Sequence, residues 1–343
     1  MRLRRAGEFG AIERIKRLCK APGREVVCGM GDDAAAYKSP AGMRLAATDM
    51  MVEGVHFDLS YTGFGDLGRK ALAVNLSDIA AMGGRPRYYL VSLALPADMD
   101  TADLEALYGG MEEEAGAFGV RAIGGDTCGT PGPLVISITV LGEARPGRLV
   151  RRSGARPGDD IYVTGTLGDS AGGLELLKAG KGVIAGRRRG NLGFKDADGA
   201  AAGRLVARHL RPTPRVKAGR LLAGLASAMI DISDGLSSDL GHILDESGAG
   251  ALVYKDRLPV SDGLKSAVGG GRALGLALHG GEDYELLFTA GVGKRDIIMS
   301  NVRRFGTAVT PIGTVTGGKG AFLVSGDGKR TVLRAKGYEH FHG

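Results

Sequence analysis

A chain of 343 residues is long enough for two ordinary domains, each with its own core, and its 43% hydrophobic and 24% charged content are those of a globular protein. The longest uncharged apolar run, residues 88–97, is about half of what a bilayer-spanning helix needs, which excludes a membrane protein from this reading. The net charge of +7 is thinly spread, aromatics are 5% and Trp is absent; this argues against a surface that stacks nucleic-acid bases, and an anionic small-molecule substrate accounts for the excess.

The N-terminus is basic without an apolar run behind it, and Cys19, Cys28 and Cys128 fit no metal or disulfide spacing. Both features read as cytoplasmic. A short helix is expected over residues 12–18, followed by strands at 43–49, 88–95, 120–125 and 134–141 and helices at 66–82 and 101–118. Ala144-Arg145-Pro146-Gly147 reads as a linker, dividing the chain into residues 1–144 and 145–343. The second part predicts a strand at 161–164, then helices at 170–179, 200–209, 216–227 and 235–246. Strands follow at 251–254, 284–289, 309–315 and 321–325. Mixed order of this kind is an α+β (mixed α/β) fold in two domains.

One pattern recurs along this order: a strand-like run ends in Asp beside Gly, Ser or Thr. Asp32-Asp33 follow residues 25–31, Asp49 follows 43–48, Asp126 follows 120–125, and Asp231 and Asp234 close 229–234. Asp78 joins them from a helical stretch, three residues after Asn75 and on the same face. Two such carboxylates about 4 Å apart repel by roughly 4 kcal/mol at an effective dielectric near 20, so a converging set needs hard cations. Oxygen-only ligands point to magnesium rather than zinc.

Three local patterns imitate better-known sites. Gly29-Met30-Gly31-Asp32-Asp33-Ala34 has dinucleotide-loop glycines, but two acids stand where a pyrophosphate would approach. Gly291-Val292-Gly293-Lys294 lacks the first Gly and the Ser or Thr of a P-loop. Gly168-Asp169-Ser170-Ala171-Gly172 matches a nucleophile elbow between a strand and a helix, which keeps open an esterase with Ser170 as nucleophile, His279 as base and Asp231 as the acid.

The stretches GDDAA (31–35), TDMMVEGVHF (48–57), KALAVNLSDIAAMGG (70–84), GGDT (124–127), RSGARPGDDIYVTGTLGD (152–169), IDISDGLSSDLGHI (230–243), GGEDYEL (280–286) and KGYEHF (336–341) run through nearly the whole chain. Together they resemble the thiamine-monophosphate kinase family, within the superfamily of aminoimidazole ribonucleotide synthetase and selenophosphate synthetase. The resemblance implies direct γ-phosphoryl transfer from ATP to thiamine monophosphate, with no phospho-enzyme, in a homodimer whose N-terminal sheets join. It implies that Asp33, Thr48, Asp49, Asp78, Asp126, Asp231 and Asp234 hold several Mg²⁺ ions, that Gly125, Asp126, Arg152 and Ser233 contact ATP, and that His56, Glu282 and Tyr338 contact the thiamine substrate. Ala47 and Met50-Met51 depart from the family pattern without removing a carboxylate. Another ATP-dependent member of the superfamily is the alternative, although no Cys stands where the selenophosphate or hydrogenase-maturation enzymes would want one.

Overall fold

The computed structural model describes residues 26–28, 32–39, 42–180, 200–303 and 306–338. The helix expected over residues 12–18, Cys19 and the Arg187-Arg188-Arg189 run lie outside them. Two sheets organise the rest. The first contains β1 (Val26–Cys28), β2 (Ala35–Ser39), β3 (Gly42–Val52), β4 (Arg85–Pro96), β5 (Arg121–Thr130) and β6 (Val135–Ala144), in the order β1-β2-β3-β6-β4-β5. All its neighbours are antiparallel except β4 and β5. Along β6 the buried residues Ile136, Ile138 and Val140 alternate with half-buried ones, the period of a sheet with one face on the core.

Helix α1 (Phe64–Ala81) links β3 to β4, and α2 (Thr101–Phe118) links β4 to β5. They cross at backbone contact. A Cβ on Gly68 would overlap the Leu107 carbonyl oxygen, and one on Gly110 would overlap that of Gly65, so the crossing depends on both glycines.

The second sheet contains β7 (Asp160–Thr164), β8 (Ala228–Asp231), β9 (Gly250–Tyr254), β10 (Leu286–Ala290), β11 (Val309–Thr316), β12 (Gly320–Val324) and β13 (Arg330–Val332), in the order β13-β12-β9-β11-β7-β10-β8. Only β9 and β12 run parallel. Every residue of β7 and β10 is buried, and Tyr162 stacks on Phe288 with ring centroids 5.0 Å apart. Around this sheet lie α3 (Asp169–Lys178), α4 (Ala200–Leu210), α5 (Val216–Leu222), α6 (Leu236–Ser247), α7 (Asp262–Val268), α8 (Gly270–His279) and α9 (Arg295–Arg303).

The α+β class agrees with the sequence, while several elements differ from it. Helices α7, α8 and α9 were not expected. The helix expected to reach 227 stops at Leu222, just before Gly224 takes the left-handed φ of +85°. Strand β10 starts two residues later than expected because Tyr284 has φ +50°. Strand β5 continues through Gly124-Gly125-Asp126-Thr127, since its partner β4 runs on to Pro96 and keeps pairing with it. A single core carries side chains from both sheets: Leu76 and Ile79 of α1 belong to the same cluster as Met229, Tyr162 and Phe288. Helix α1 therefore lies where the two sheets meet.

Candidate active site

Four segments bring acids to that junction. Asp49 stands near the end of β3, Asp78 on α1, Asp231 at the end of β8, and Asp32-Asp33 just before β2. The strand is locked to the helix by Asn75: Asp49 N–H donates to Asn75 Oδ1 at 2.9 Å, and Asn75 Nδ2 donates to the Ala71 carbonyl at 3.0 Å. Asn75 thus serves as a brace one turn from Asp78. Asp33, Asp78 and Asp231 each offer a carboxylate oxygen, all within 4.8 Å of one another.

The protonation of these groups reflects their crowding. Burial and then the charge of Asp33 push Asp49 up to about 6 and Asp231 up to about 8. Asp78 is pushed well above the usual carboxylate range by burial, then by Asp49, Asp231 and Asp33. Without a cation these acids resist full ionisation at neutral pH. Asp33 is gripped by Arg152, with Nη2 at 2.8 Å and Nε at 3.2 Å, and Arg152 N–H donates to Asp32 Oδ1 at 2.9 Å.

A second group forms at the start of α6, where one ligand atom each from Asp234, Asp239 and His242 lie within 4.8 Å of one another. Asp239 Oδ2 accepts from Gly235 N–H at 2.9 Å and from Asp234 N–H at 3.3 Å. Burial, then Asp234 and Asp231, push Asp239 well above its ordinary range. This group includes an imidazole, where the sequence reading expected oxygen ligands alone. Asp239 and His242 were missed, although their i, i+3 spacing directly after Asp234 is a legible signal.

Both groups line one cavity of about 790 Å³. Asp33, Thr48, Asp49, Asp78, Arg152, Asp231, Ser233 and Asp234 lie on it, and so do His56, Glu282 and Tyr338. The Thr48 hydroxyl donates to the Ile138 carbonyl at 3.1 Å and accepts from Thr139 Oγ1 at 3.0 Å. His56 Nδ1 accepts from Val52 N–H at 3.0 Å, and Tyr338, half exposed at the rim, donates its N–H to the Asp234 carbonyl at 3.3 Å.

Gly125 and Asp126 do not join them. They sit on the exposed edge strand β5, with Asp126 in register with Ser92 on β4, which in turn pairs with Ser137 on β6 and so with Met50 on β3. At the usual strand spacing that is about 14 Å from β3.

Glu282 lines the end of the cavity beside Lys70, which lies two turns of α1, about 12 Å, from Asp78, and it has an unusual backbone conformation. It has φ +64° and Tyr284 has φ +50°, both left-handed for non-glycine residues. The loop is held there by Glu282 N–H to the Ser233 carbonyl at 2.7 Å and Tyr284 N–H to the Ile232 carbonyl at 2.9 Å. Lys70 Nζ lies 2.7 Å from Glu282 Oε1, and His209 Nδ1 lies 3.3 Å from Oε2. Burial alone would raise the Glu282 pKa, but the Lys70 ammonium beside it outweighs burial, and the net shift is downward. Burial and then Lys70 push His209 down to about 3, so its imidazole is neutral. Lys70 and His209 are further residues that the sequence reading passed over.

The esterase alternative is corrected by the geometry. Ser170 is fully buried in the first turn of α3, and its Oγ meets His209 Nδ1 at 3.1 Å rather than His279. His279 Nδ1 lies 2.8 Å from Ser237 Oγ instead. A hydroxyl that no substrate can reach is not an acyl nucleophile.

The AIR synthase related protein N-terminal domain matches residues 31–144, and the corresponding C-terminal domain matches residues 156–325. The chain is 42% identical over 336 residues to the thiamine-monophosphate kinase of Salmonella typhimurium, and equally so to that of Escherichia coli, covering 98% of each chain in both cases. It is also similar to the solved structure of AaThiL complexed with AMPPCP and TMP, with a TM-score of 0.83, 35% identity and 99% of both chains covered. Among the described residues no helix is long and apolar enough to cross a membrane.

Proposed function

The chain belongs to the AIR synthase related family and, within it, to the thiamine-monophosphate kinases, and we propose that it transfers the γ-phosphoryl group of ATP directly to the phosphate of thiamine monophosphate, giving thiamine diphosphate and ADP. One observation carries this reading beyond similarity. The carboxylates of Asp33, Asp78 and Asp231 converge within 4.8 Å in the same cavity that holds Glu282 at its other end. Two polyanions have to meet in such a reaction, and their mutual repulsion is the main barrier. AaThiL complexed with AMPPCP and TMP supports the same pair of ligands, a nucleotide and a thiamine phosphate, for this chain.

The donor set fits Mg²⁺: all-oxygen carboxylates, crowded enough that their pKa values rise in its absence. Asp33, Asp49, Asp78 and Asp231 would hold the ions, with Thr48 and Asp234 as further ligands, while Asp126, outside this cavity, would reach an ion only in the paired form. Bound Mg²⁺ supplies the charge neutralisation that lets the two phosphate chains approach. The acids are holders rather than proton carriers, because a phosphate monoester is itself a nucleophile at neutral pH. Arg152 and Ser233 face the nucleotide, and His56, Glu282 and Tyr338 face the organic part of the acceptor.

Pairing of two copies belongs to this reading. The edge of β5 is exposed along nearly its whole length, with Ile123 53% exposed, and an open strand of this kind is a template for another strand. Gly125 and Asp126, on that edge, are nucleotide contacts of the paired form. The division into an N-terminal part, 1–144, that binds ATP and pairs, and a C-terminal part, 145–343, is supported by the first sheet closing at Ala144 and the second opening at Asp160.

Phosphorus NMR of the protein with ATP, Mg²⁺ and thiamine monophosphate tests the reading. Doublets of thiamine diphosphate should appear with an equal amount of ADP, and only when the metal is present. Intact ATP after prolonged incubation would overturn it.

A further inference from the structure

Glu282 is held from two helices of different sheets' surroundings. From α1, Lys70, 2% exposed, places Nζ 2.7 Å from Oε1. At the end of α4, His209, 3% exposed, places Nδ1 3.3 Å from Oε2, so each carboxylate oxygen has its own partner. His209 is itself oriented: as a neutral ring it can serve both oxygens only with its proton on Nδ1, shared between Glu282 Oε2 and Ser170 Oγ 3.1 Å away, and Ser170 is fixed because its N–H donates to Asp283 Oδ1 at 3.2 Å while Gly168 N–H donates to Asp283 Oδ2 at 2.6 Å. The nucleophile-like Ser170 of the sequence thus ends a buried relay that leads to Glu282.

The charges along the relay decide what Glu282 can recognise. Lys70 contributes one positive charge, Glu282 one negative charge, and His209, buried beside that lysine, none. The Lys70–Glu282–His209 group is thus electrically balanced within itself, in contrast to the acid cluster. A ligand cation gains little Coulomb energy against a carboxylate that is already neutralised, whereas an N–H donor still gains a charge-assisted hydrogen bond. Thiamine monophosphate carries one of each, a cationic thiazolium and an uncharged aminopyrimidine.

We propose that His209 is a positioning residue: oriented by Ser170, it fixes with Lys70 the two oxygens of Glu282, so that Glu282 receives the amino group of the acceptor's pyrimidine rather than its cationic ring. This role rests on the phosphoryl-transfer reading above and concerns acceptor binding alone. No part of the relay touches the transferred phosphoryl group.

Steady-state kinetics with separate variation of ATP and thiamine monophosphate test the proposal. His209→Ala should raise KM for thiamine monophosphate roughly tenfold while kcat and the KM for ATP stay within about twofold. His209→Asn, whose amide nitrogen can stand where Nδ1 stands, should restore most of the loss, and Ser170→Ala should cost about threefold. A thiamine monophosphate analogue lacking the amino group should bind the unaltered enzyme more weakly and lose nothing further in His209→Ala, since both changes remove one interaction. Equal losses for both substrates, an Asn variant no better than Ala, or additive losses with the analogue would each overturn the positioning role. If His209→Ala does not fold, Ser170→Ala still decides, because an acceptor KM unchanged in that variant, or a loss there that adds in full to that of the analogue, rejects the relay. No product from the unaltered enzyme would instead overturn phosphoryl transfer itself, and this role with it.

Discussion

The two ends of the cavity bury carboxylates in opposite ways. At one end, Asp49, Asp78 and Asp231 are raised by burial and then by neighbouring carboxylates, Asp33 among them, and a ligand cation has to supply the missing charge. At the other, Glu282 is lowered because Lys70 stands 2.7 Å away, and the protein supplies the charge itself. The difference separates a place built to change its occupant from one built to keep its shape. A cluster of acids with one arginine among them is only partly compensated and lowers stability until its ligand arrives, while a fully compensated pair is fixed before any ligand enters.

Removing a charge at each end should therefore have opposite effects on stability. Asp78→Asn should lower turnover by roughly a thousandfold, since it deletes a metal ligand, yet raise the melting temperature of the metal-free protein because one repulsion is gone. Calorimetry alongside the phosphorus NMR assay reads both, and unchanged turnover would remove Asp78 from the metal site. Lys70→Met should do the reverse. It leaves Glu282 without its partner and costs about 2–3 kcal/mol, below the range for a fully buried pair because Glu282 is 28% exposed. Denaturant unfolding measures that loss, and the KM for thiamine monophosphate should rise with it.

A smaller effect distinguishes the ends by pH. Asp49 at about 6 and Asp231 at about 8 bind protons more tightly in the folded chain than in the unfolded one, where an ordinary Asp sits near 3.8. Between those limits the native state holds more protons, so the stability of the metal-free protein falls as pH rises from about 4 through 8. Its melting temperature should be several degrees higher at pH 5.5 than at pH 8, and saturating Mg²⁺ should flatten or reverse the slope. A metal-free melting temperature that rises over this range would show that these carboxylates are not mutually destabilised.

Much of the acid end was legible because its acids follow apolar, strand-like runs along the chain, although only Asp231 closes its strand. The run 43–48 leads into Asp49 as expected, but β3 continues to Val52, so the Asp marks the strand rather than its end. Asp78 was legible for a different reason, as an acid on a helical face made of Ala, Leu and Met. The compensated end was not legible in this way. Lys70 reads as a solvated residue near the start of a helix, and His209 as one more residue of a basic, amphipathic one, until α1 and α4 are seen to converge on Glu282. Ser170 shows the converse. Its local pattern was read correctly as a strand-to-helix turn, but a local pattern carries no information about burial, and burial is what removes the nucleophile.

By itself the sequence determined the α+β class, the principal acids, the all-oxygen character of the cluster around Asp33, Asp78 and Asp231, and the family to which the chain belongs. These follow from local periodicity and from residue types placed next to one another along the chain. Only the tertiary structure decided which acids meet, that Asp239 and His242 join Asp234, that Asp126 stands about three strands from β3, and that Glu282 is neutralised from two helices. Each of these is a contact between segments far apart in the chain. Such a contact is set by how sheets and helices pack, and packing depends on all the surfaces together rather than on any one stretch.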